Sequence, residues 1–246
     1  MELGLTGRTV VITGGSSGIG KAVAWEYLKE GCHVAVCSRG QARLEDAVRE
    51  FQAAGYSVFA RSLDVTDYPA VERFADEVAE AYGKIDVWYN NAASNQTKSL
   101  MDYSYDEFRN STEAHMRKTG GGVILNASSY SAVIPNAGRA PYSACKSAVS
   151  SLTRSFAAEL APDQIRVLAY VPGLIATEIT RDHIARNRDS LLSAIPCRRF
   201  GRPEDLAKVL VFLSSDIAEY MNGTEVYISG GKFCTQNPQY GWEHMV

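Results

Sequence analysis

Residues 140–148, APYSACKSA, place Tyr142 four positions before Lys146. On a helix that spacing sets the two side chains one turn apart, where an ammonium favours the ionised phenol and makes the pair a candidate for acid–base work on an oxygen. The chain has thirteen tyrosines, so the spacing also arises by chance, and an aromatic that merely opens a packed helix is the other reading. On the helical wheel Cys145, Val149, Leu152, Phe156 and Leu160 form an apolar stripe, with Tyr142 at its edge and Lys146 just outside. Either reading survives that pattern. A second stretch, VVITGGSSGIGKAVA at 10–24, sets Gly14, Gly18 and Gly20 between an apolar run and an amphipathic segment. Glycine there permits positive φ and lets the backbone approach a pyrophosphate, whose charge then meets the free N–H groups of a helix N-terminus.

The elements that must position these groups follow from periodicity. Short runs rich in Val and Ile (TVVIT, HVAVCS, SVFARS) alternate with amphipathic segments at 18–30, 41–54 and 67–82. This is the signature of repeated βαβ units and a parallel sheet covered on both faces. Further strands are expected at IDVWYN, GVILNAS, IRVLAYV and EVYIS, and helices near 105–117, 140–160 and 203–215. Seven strands make an α/β, Rossmann-like, doubly wound fold, and 246 residues with 46% hydrophobic content suit one domain over 1–246. The 25 basic and 28 acidic residues are interspersed, leaving a net charge of −3 and no basic footprint for nucleic acid or membrane. Small molecules are the expected partners. The five cysteines are scattered and never spaced Cys-x-x-Cys, which argues against a disulfide framework or a zinc site and for a reducing cytoplasm. The first residues lack a basic and apolar leader pattern, and no run reaches 18 uninterrupted apolar residues, so neither export nor membrane spanning is expected.

The spacing Thr-Gly-x3-Gly-x-Gly from Thr13 to Gly20 resembles the short-chain dehydrogenase/reductase family, and in particular its 3-oxoacyl reductase-like members. In order, the chain also carries LDVTD around Asp64, NNAA at 90–93, Ser129 in NASSYS, YSACK at 142–146 and VPGLIATE from Val171. The resemblance implies an oxidoreductase that moves a hydride between a nicotinamide dinucleotide and a ketone, aldehyde or secondary alcohol. It implies that Gly14, Ser16, Ser17, Gly18, Ile19 and Gly20 hold the pyrophosphate, that Asp64 with Val65 meets the adenine, and that Asn91 and Ala92 line the ribose. Pro172, Gly173, Ile175 and Thr177 hold the carboxamide, Tyr142 is the general acid, Lys146 tunes it and anchors the ribose, and Ser129 holds the substrate oxygen. An acidic residue ending the second strand would bind a ribose 2′-hydroxyl and repel a 2′-phosphate. Here Ser38 and Arg39 stand there instead, so NADP(H) is expected over NAD(H).

One region departs from the pattern. Relatives carry a longer helix between the fourth and fifth strands, with an Asn in its middle that completes a catalytic tetrad and a face that forms a dimer interface. Here the text reads SYDEFRNSTEAHMRKTGGG; counted from Phe108 the Asn falls at His115, Asn110 comes too early, and about four helical turns are absent. His115 is expected to be a surface histidine. The resemblance implies a homodimer or homotetramer, which the shorter helix places in question, and it leaves a second reading: a dinucleotide-binding protein with weak or no turnover. Residues 178–200 are expected to cover the substrate, and the tail from 232 to 246 is either a loose end or a packed lid.

Overall fold

A computed structural model of the chain describes residues 2–92, 115–135, 137–235 and 238–244. Seven parallel strands form one sheet in the order β3-β2-β1-β4-β5-β6-β7: β1 Thr9–Thr13, β2 His33–Ser38, β3 Val58–Ser62, β4 Val87–Asn90, β5 Gly122–Ala127, β6 Ile165–Pro172 and β7 Glu225–Ile228. The helices are α1 Gly18–Lys29, α2 Gln41–Ala53, α3 Tyr68–Tyr82, α4 Ala140–Glu159, α5 Arg181–Ser193, α6 Pro203–Ser214 and α7 Pro238–His244. The strand order reverses between β1 and β4, so a crevice opens there at the carboxyl edge of the sheet.

Two apolar layers sandwich the sheet. On one face Tyr27 and Leu28 of α1, Leu44 and Phe51 of α2, and Leu206 and Leu210 of α6 pack on Val10, Ile12, Val34 and Val36. On the other, Val71, Phe74 and Val78 of α3 and Phe156 and Leu160 of α4 pack on Val11, Ala35, Trp88 and Val167. Burial on both faces is why these strands read as continuous apolar runs rather than alternating ones.

Helix α4 differs from its wheel. Of the expected stripe, Phe156 and Leu160 are buried but Cys145, Val149 and Leu152 are only half-buried, and the rest of the buried side is Ser143, Ser150, Thr153 and Ala157. Polar side chains occupy that face because the strand end beneath it is itself polar. The segment expected as a substrate cover contains α5, a helix with no buried residue and a kink at Asn187 (φ −132°, ψ 24°). Lacking an apolar stripe, it gives no helical periodicity to find.

Most of the expected crossover helix, with Asn110, lies outside the described residues. Residues 115–119 are helical, Met116 is fully buried among α3 and α4, and Gly121, at φ 113°, turns the chain into β5 with its N–H on the Met116 carbonyl at 3.0 Å. His115 Nε2 lies 2.9 Å from Asp76 Oδ1 on α3. It stands near the amino end of β5, whereas Ser129 follows the carboxyl end, and six strand residues span about 20 Å. His115 therefore does not occupy the place of the relatives' Asn.

Cysteines separate into two kinds. Cys37 closes β2, and its carbonyl accepts the N–H groups of Gly14 (2.8 Å) and Gly15 (3.2 Å). Burial pushes the Cys37 and Cys32 thiols up to about 12, whereas Cys197 and Cys234 are exposed. A thiol held protonated in the fold stabilises it fully below the unfolded value near 9.0, and that stability is lost as pH rises through about 12. At pH 8 iodoacetamide should therefore modify Cys197 and Cys234 in the native protein and reach Cys32 and Cys37 only after unfolding, as read by peptide mass spectrometry. Modification of Cys37 as fast as Cys197 would contradict the burial described.

Candidate active site at the carboxyl edge of the sheet

The glycine turn follows β1 and is fixed from two sides. Gly14 (φ 71°) and Gly18 (φ 53°) lie in the left-handed region. A Cβ on Gly20 would stand 2.3 Å from the Gly14 carbonyl oxygen and 2.6 Å from Asn91 Nδ2, so no side chain fits. Gly15, which sequence reading passed over, is equally constrained, since its Cβ would fall 2.7 Å from the Val36 side chain. Across the crevice, Asn91 Nδ2 donates to the carbonyls of Thr13 (3.0 Å) and Gly14 (3.2 Å), and the Asn91 and Ala92 N–H groups both donate to Thr13 Oγ1 at 3.0 Å. The end of β4 thus clamps the turn that follows β1. Ser16 is buried, Ile19 packs against the core, and Ser17 occupies the cap position of α1.

Helix α3 starts on an Asp67 side chain that accepts the Ala70 N–H, but neither α1 nor α2 has any such cap. Neither has an acidic residue in its first turn. Two helix amino ends therefore start without a side-chain cap or a first-turn counter-charge among the described residues. Beside α2, Ser38 Oγ is buried without a hydrogen-bond partner among the described residues. Arg39, 59% exposed, places Nη1 3.7 Å from Asp64 Oδ2, and Arg43, one turn into α2, places Nη1 3.4 Å from Glu178 Oε2. Asp64 also accepts the Thr66 N–H at 2.9 Å, which shapes the turn carrying Val65.

Residues 172–177 complete the far wall. Gly173 lies so close to Ser229 that a Cβ would stand 2.7 Å from its backbone, and Ile175 bridges Gly201. Thr180 Oγ1 donates to the Ile175 carbonyl (2.6 Å) and accepts the Thr177 N–H (2.9 Å). A side chain on Gly18 would touch the Thr177 methyl at 3.6 Å, so this turn and the glycine turn meet across the groove.

The three residues with chemistry gather where β5 ends. Ser129 is buried directly after the strand, and its Oγ accepts the Ser131 N–H at 3.2 Å. Lys146 Nζ donates to the Ala127 carbonyl at 2.6 Å and stands 5.9 Å from the centroid of the half-buried Tyr142 ring. Burial lowers the Lys146 ammonium from its ordinary value, with a smaller opposing effect from Cys145. Below, the Tyr89 hydroxyl donates to the Tyr170 hydroxyl at 2.7 Å. Burial drives both phenols well above their ordinary range, and Tyr142 adds to that rise at Tyr170. The groups that orient α4 were missed from sequence: Asn126 Nδ2 donates to Thr153 Oγ1 (3.1 Å), Ser128 and Ser150 pair their hydroxyls (2.8 Å), and Asn90 Nδ2 donates to Asn126 Oδ1 (2.9 Å). A run of Ser, Thr and Asn on a helix and two strand ends was the available signal.

The tail is packed rather than loose over its described part. Phe233 stacks on Tyr130 with centroids 4.6 Å apart and planes at 24°, and the Arg198 guanidinium lies 3.7 Å over the Trp242 ring. No helix among the described residues is long and apolar enough to cross a membrane.

Known proteins share this architecture along nearly the whole chain. The family model described as enoyl-(acyl carrier protein) reductase matches residues 14–232. The 3-oxoacyl-[acyl-carrier-protein] reductase of Thermotoga maritima is 34% identical over 92% of this chain and 98% of its own. The 7alpha-hydroxysteroid dehydrogenase of Clostridium sardiniense is 32% identical over 96% and 97%. Among solved structures, the L-sorbose reductase of Gluconobacter frateurii, complexed with NADPH and L-sorbose, superposes with a TM-score of 0.83 at 31% identity over 96% of this chain and all of that one. A short-chain type dehydrogenase/reductase from Mycobacterium marinum gives 0.84 at 32%, over 95% and 98%. By that family match over residues 14–232 and by relatives above 30% identity along nearly the whole chain, the chain belongs to the short-chain dehydrogenase/reductase family of oxidoreductases.

Proposed function

We propose that this oxidoreductase is an NADP(H)-dependent reductase of a ketone or aldehyde, with Tyr142 as general acid, Lys146 as its charged neighbour and Ser129 as the holder of the carbonyl oxygen. The observation that carries the reading is the buried Lys146 ammonium on the Ala127 carbonyl, beside the Tyr142 ring and two residues from Ser129. A bound nicotinamide would supply the hydride. The protein then has to deliver a proton to the oxygen that becomes an alcohol. The Tyr142 hydroxyl is the donor, and the Lys146 charge stabilises the negative oxygen that remains once the proton has left. The Ser129 hydroxyl holds the carbonyl oxygen during transfer. In the alcohol-oxidising direction the same groups act in reverse.

The groove fits a dinucleotide. The uncapped start of α1 suits a pyrophosphate, with the turn from Gly14 through Gly20 around it. Asp64 and Val65 flank the adenine side, Asn91 and Ala92 the ribose side, and Pro172, Gly173, Ile175 and Thr177 the carboxamide. Preference for a 2′-phosphate rests on Ser38 Oγ without a partner, Arg39, and the uncapped start of α2 with Arg43 in its first turn. Asp64 tempers Arg39 without cancelling it, because at 3.7 Å and high exposure the pair is weak and solvated. Solved relatives hold either nucleotide, NADPH in the L-sorbose reductase and NADH in a 7 alpha-hydroxysteroid dehydrogenase, so the preference rests on this chain's own residues.

Tyr142→Phe should lower kcat by about 10²–10⁴-fold while leaving the NADPH dissociation constant within about threefold, because only the proton donor is removed. Single-turnover kinetics together with fluorescence titration measure both quantities. A variant that keeps more than about a tenth of the parent rate would overturn the assignment.

Arg39→Ala should weaken NADPH on the order of 10–100-fold and leave NADH nearly unchanged, the loss expected for one charge-assisted contact to phosphate. Equal titration curves for the two nucleotides in the unmutated protein would refute the preference.

A further inference from the structure

We infer that the substrate is a ketone on an apolar carbon skeleton, and that Tyr130 and Phe233 are the residues that select it. The inference rests on the reductase reading above and names its substrate class. Three of the seven large apolar side chains left exposed among the described residues are Val133 (56%), Ile134 (57%) and Ile179 (68%), and each follows Ser129 or Thr177 within five residues. Scattered singly they would mean little, but these lie in the two turns that carry Ser129 and Thr177. Covering these side chains removes apolar surface from water, a gain that a hydrocarbon surface would recover and a polyol would not. Phe233 reaches back from the tail to stack on Tyr130, the residue next to Ser129, and so adds an aromatic wall to the same mouth.

Three hydroxyls near these turns, those of Ser147, Thr177 and Thr180, are already engaged. Ser147 Oγ donates to the Ala132 carbonyl at 3.0 Å, and Thr177 and Thr180 pair at 3.3 Å while Thr180 donates to the Ile175 carbonyl. On α5, Arg186 Nε donates to the Asp182 carbonyl and Asn187 to the His183 carbonyl, so these polar side chains bond within their own helix. A sugar entering here would give up water from several hydroxyls without gaining partners for them, and a site discriminates most strongly where polar groups are left unpaired.

The test compares 2-hexanone, a decalone and a ketohexose with NADPH as the reductant, in the protein and in Phe233→Ala and Phe233→Leu, with NADPH affinity titrated in each. The expected result is a kcat/KM at least tenfold higher for the two apolar ketones than for the ketohexose. The Ala variant should lose most of that ratio and the Leu variant keep most of it, with NADPH affinity constant across all three. A ketohexose turned over as well as the decalone would overturn the inference while leaving the reductase reading intact. Unchanged ratios in Phe233→Ala would remove Phe233 as a selector. No turnover of any ketone by a protein that binds NADPH would overturn the reductase reading, and this inference with it.

Discussion

The hydrogen bonds between the end of β5 and the buried side of α4 are the constraint on which the site depends. Three successive residues at the end of β5 and just past it, Asn126, Ala127 and Ser128, meet Thr153, Lys146 and Ser150. Those helix positions are spaced four and then three apart, so one helix face receives all three bonds. An apolar contact tolerates small slides and rotations, whereas a buried polar seam has one register in which every group is satisfied. Shifting α4 by one residue would leave several buried donors or acceptors alone, each costing about 1–3 kcal/mol. Tyr142 inherits its position from that register, since it lies one turn before Lys146 on the same helix.

The same seam reaches the nucleotide half through two adjacent asparagines. Asn90 bonds Asn126 and accepts from Trp88 Nε1 at 2.9 Å, on the α4 side of the sheet. Asn91 bonds the carbonyls of the glycine turn. Successive strand residues point to opposite faces, so this pair at the end of β4 joins the two halves of the site across the sheet. Gly20 shows how tight the joint is, because Asn91 Nδ2 occupies the space that any larger residue would need.

Strands, their parallel order and the glycine turn were legible because each leaves a local mark: apolar runs covered on both faces, and glycines at a strand-to-helix junction. The buried side of α4 was misread because apolarity was taken as the sign of burial, and Ser143, Ser150 and Thr153 are buried by partners lying elsewhere in the sequence. The acidic neighbour of Arg39 was not legible; Asp64 comes near it only because Ser38 pairs with Ser62 in adjacent strands, a contact that no local window contains. The stack of Phe233 on Tyr130 was invisible for the same reason. Helix α5 gave no signal at all, as a helix without a buried face has no hydrophobic period.

That last feature sets how the molecule divides its labour. The cofactor side is built from groups that cannot move independently: close-packed glycines, a clamped turn and a satisfied polar seam. The side proposed to cover the substrate has exposed apolar side chains, a kinked helix with nothing buried, and a tail with ring contacts at Phe233 and Trp242. Little of the fold's stability resides in the cover, so its residues can change with the substrate while the seam and clamp stay fixed. A bound apolar substrate would bury Val133, Ile134 and Ile179 together, supplying the packing that the cover lacks on its own. On the proposed reading the closed site would be a joint product of protein and substrate, and discrimination would arise in the free energy of closing over one skeleton rather than another.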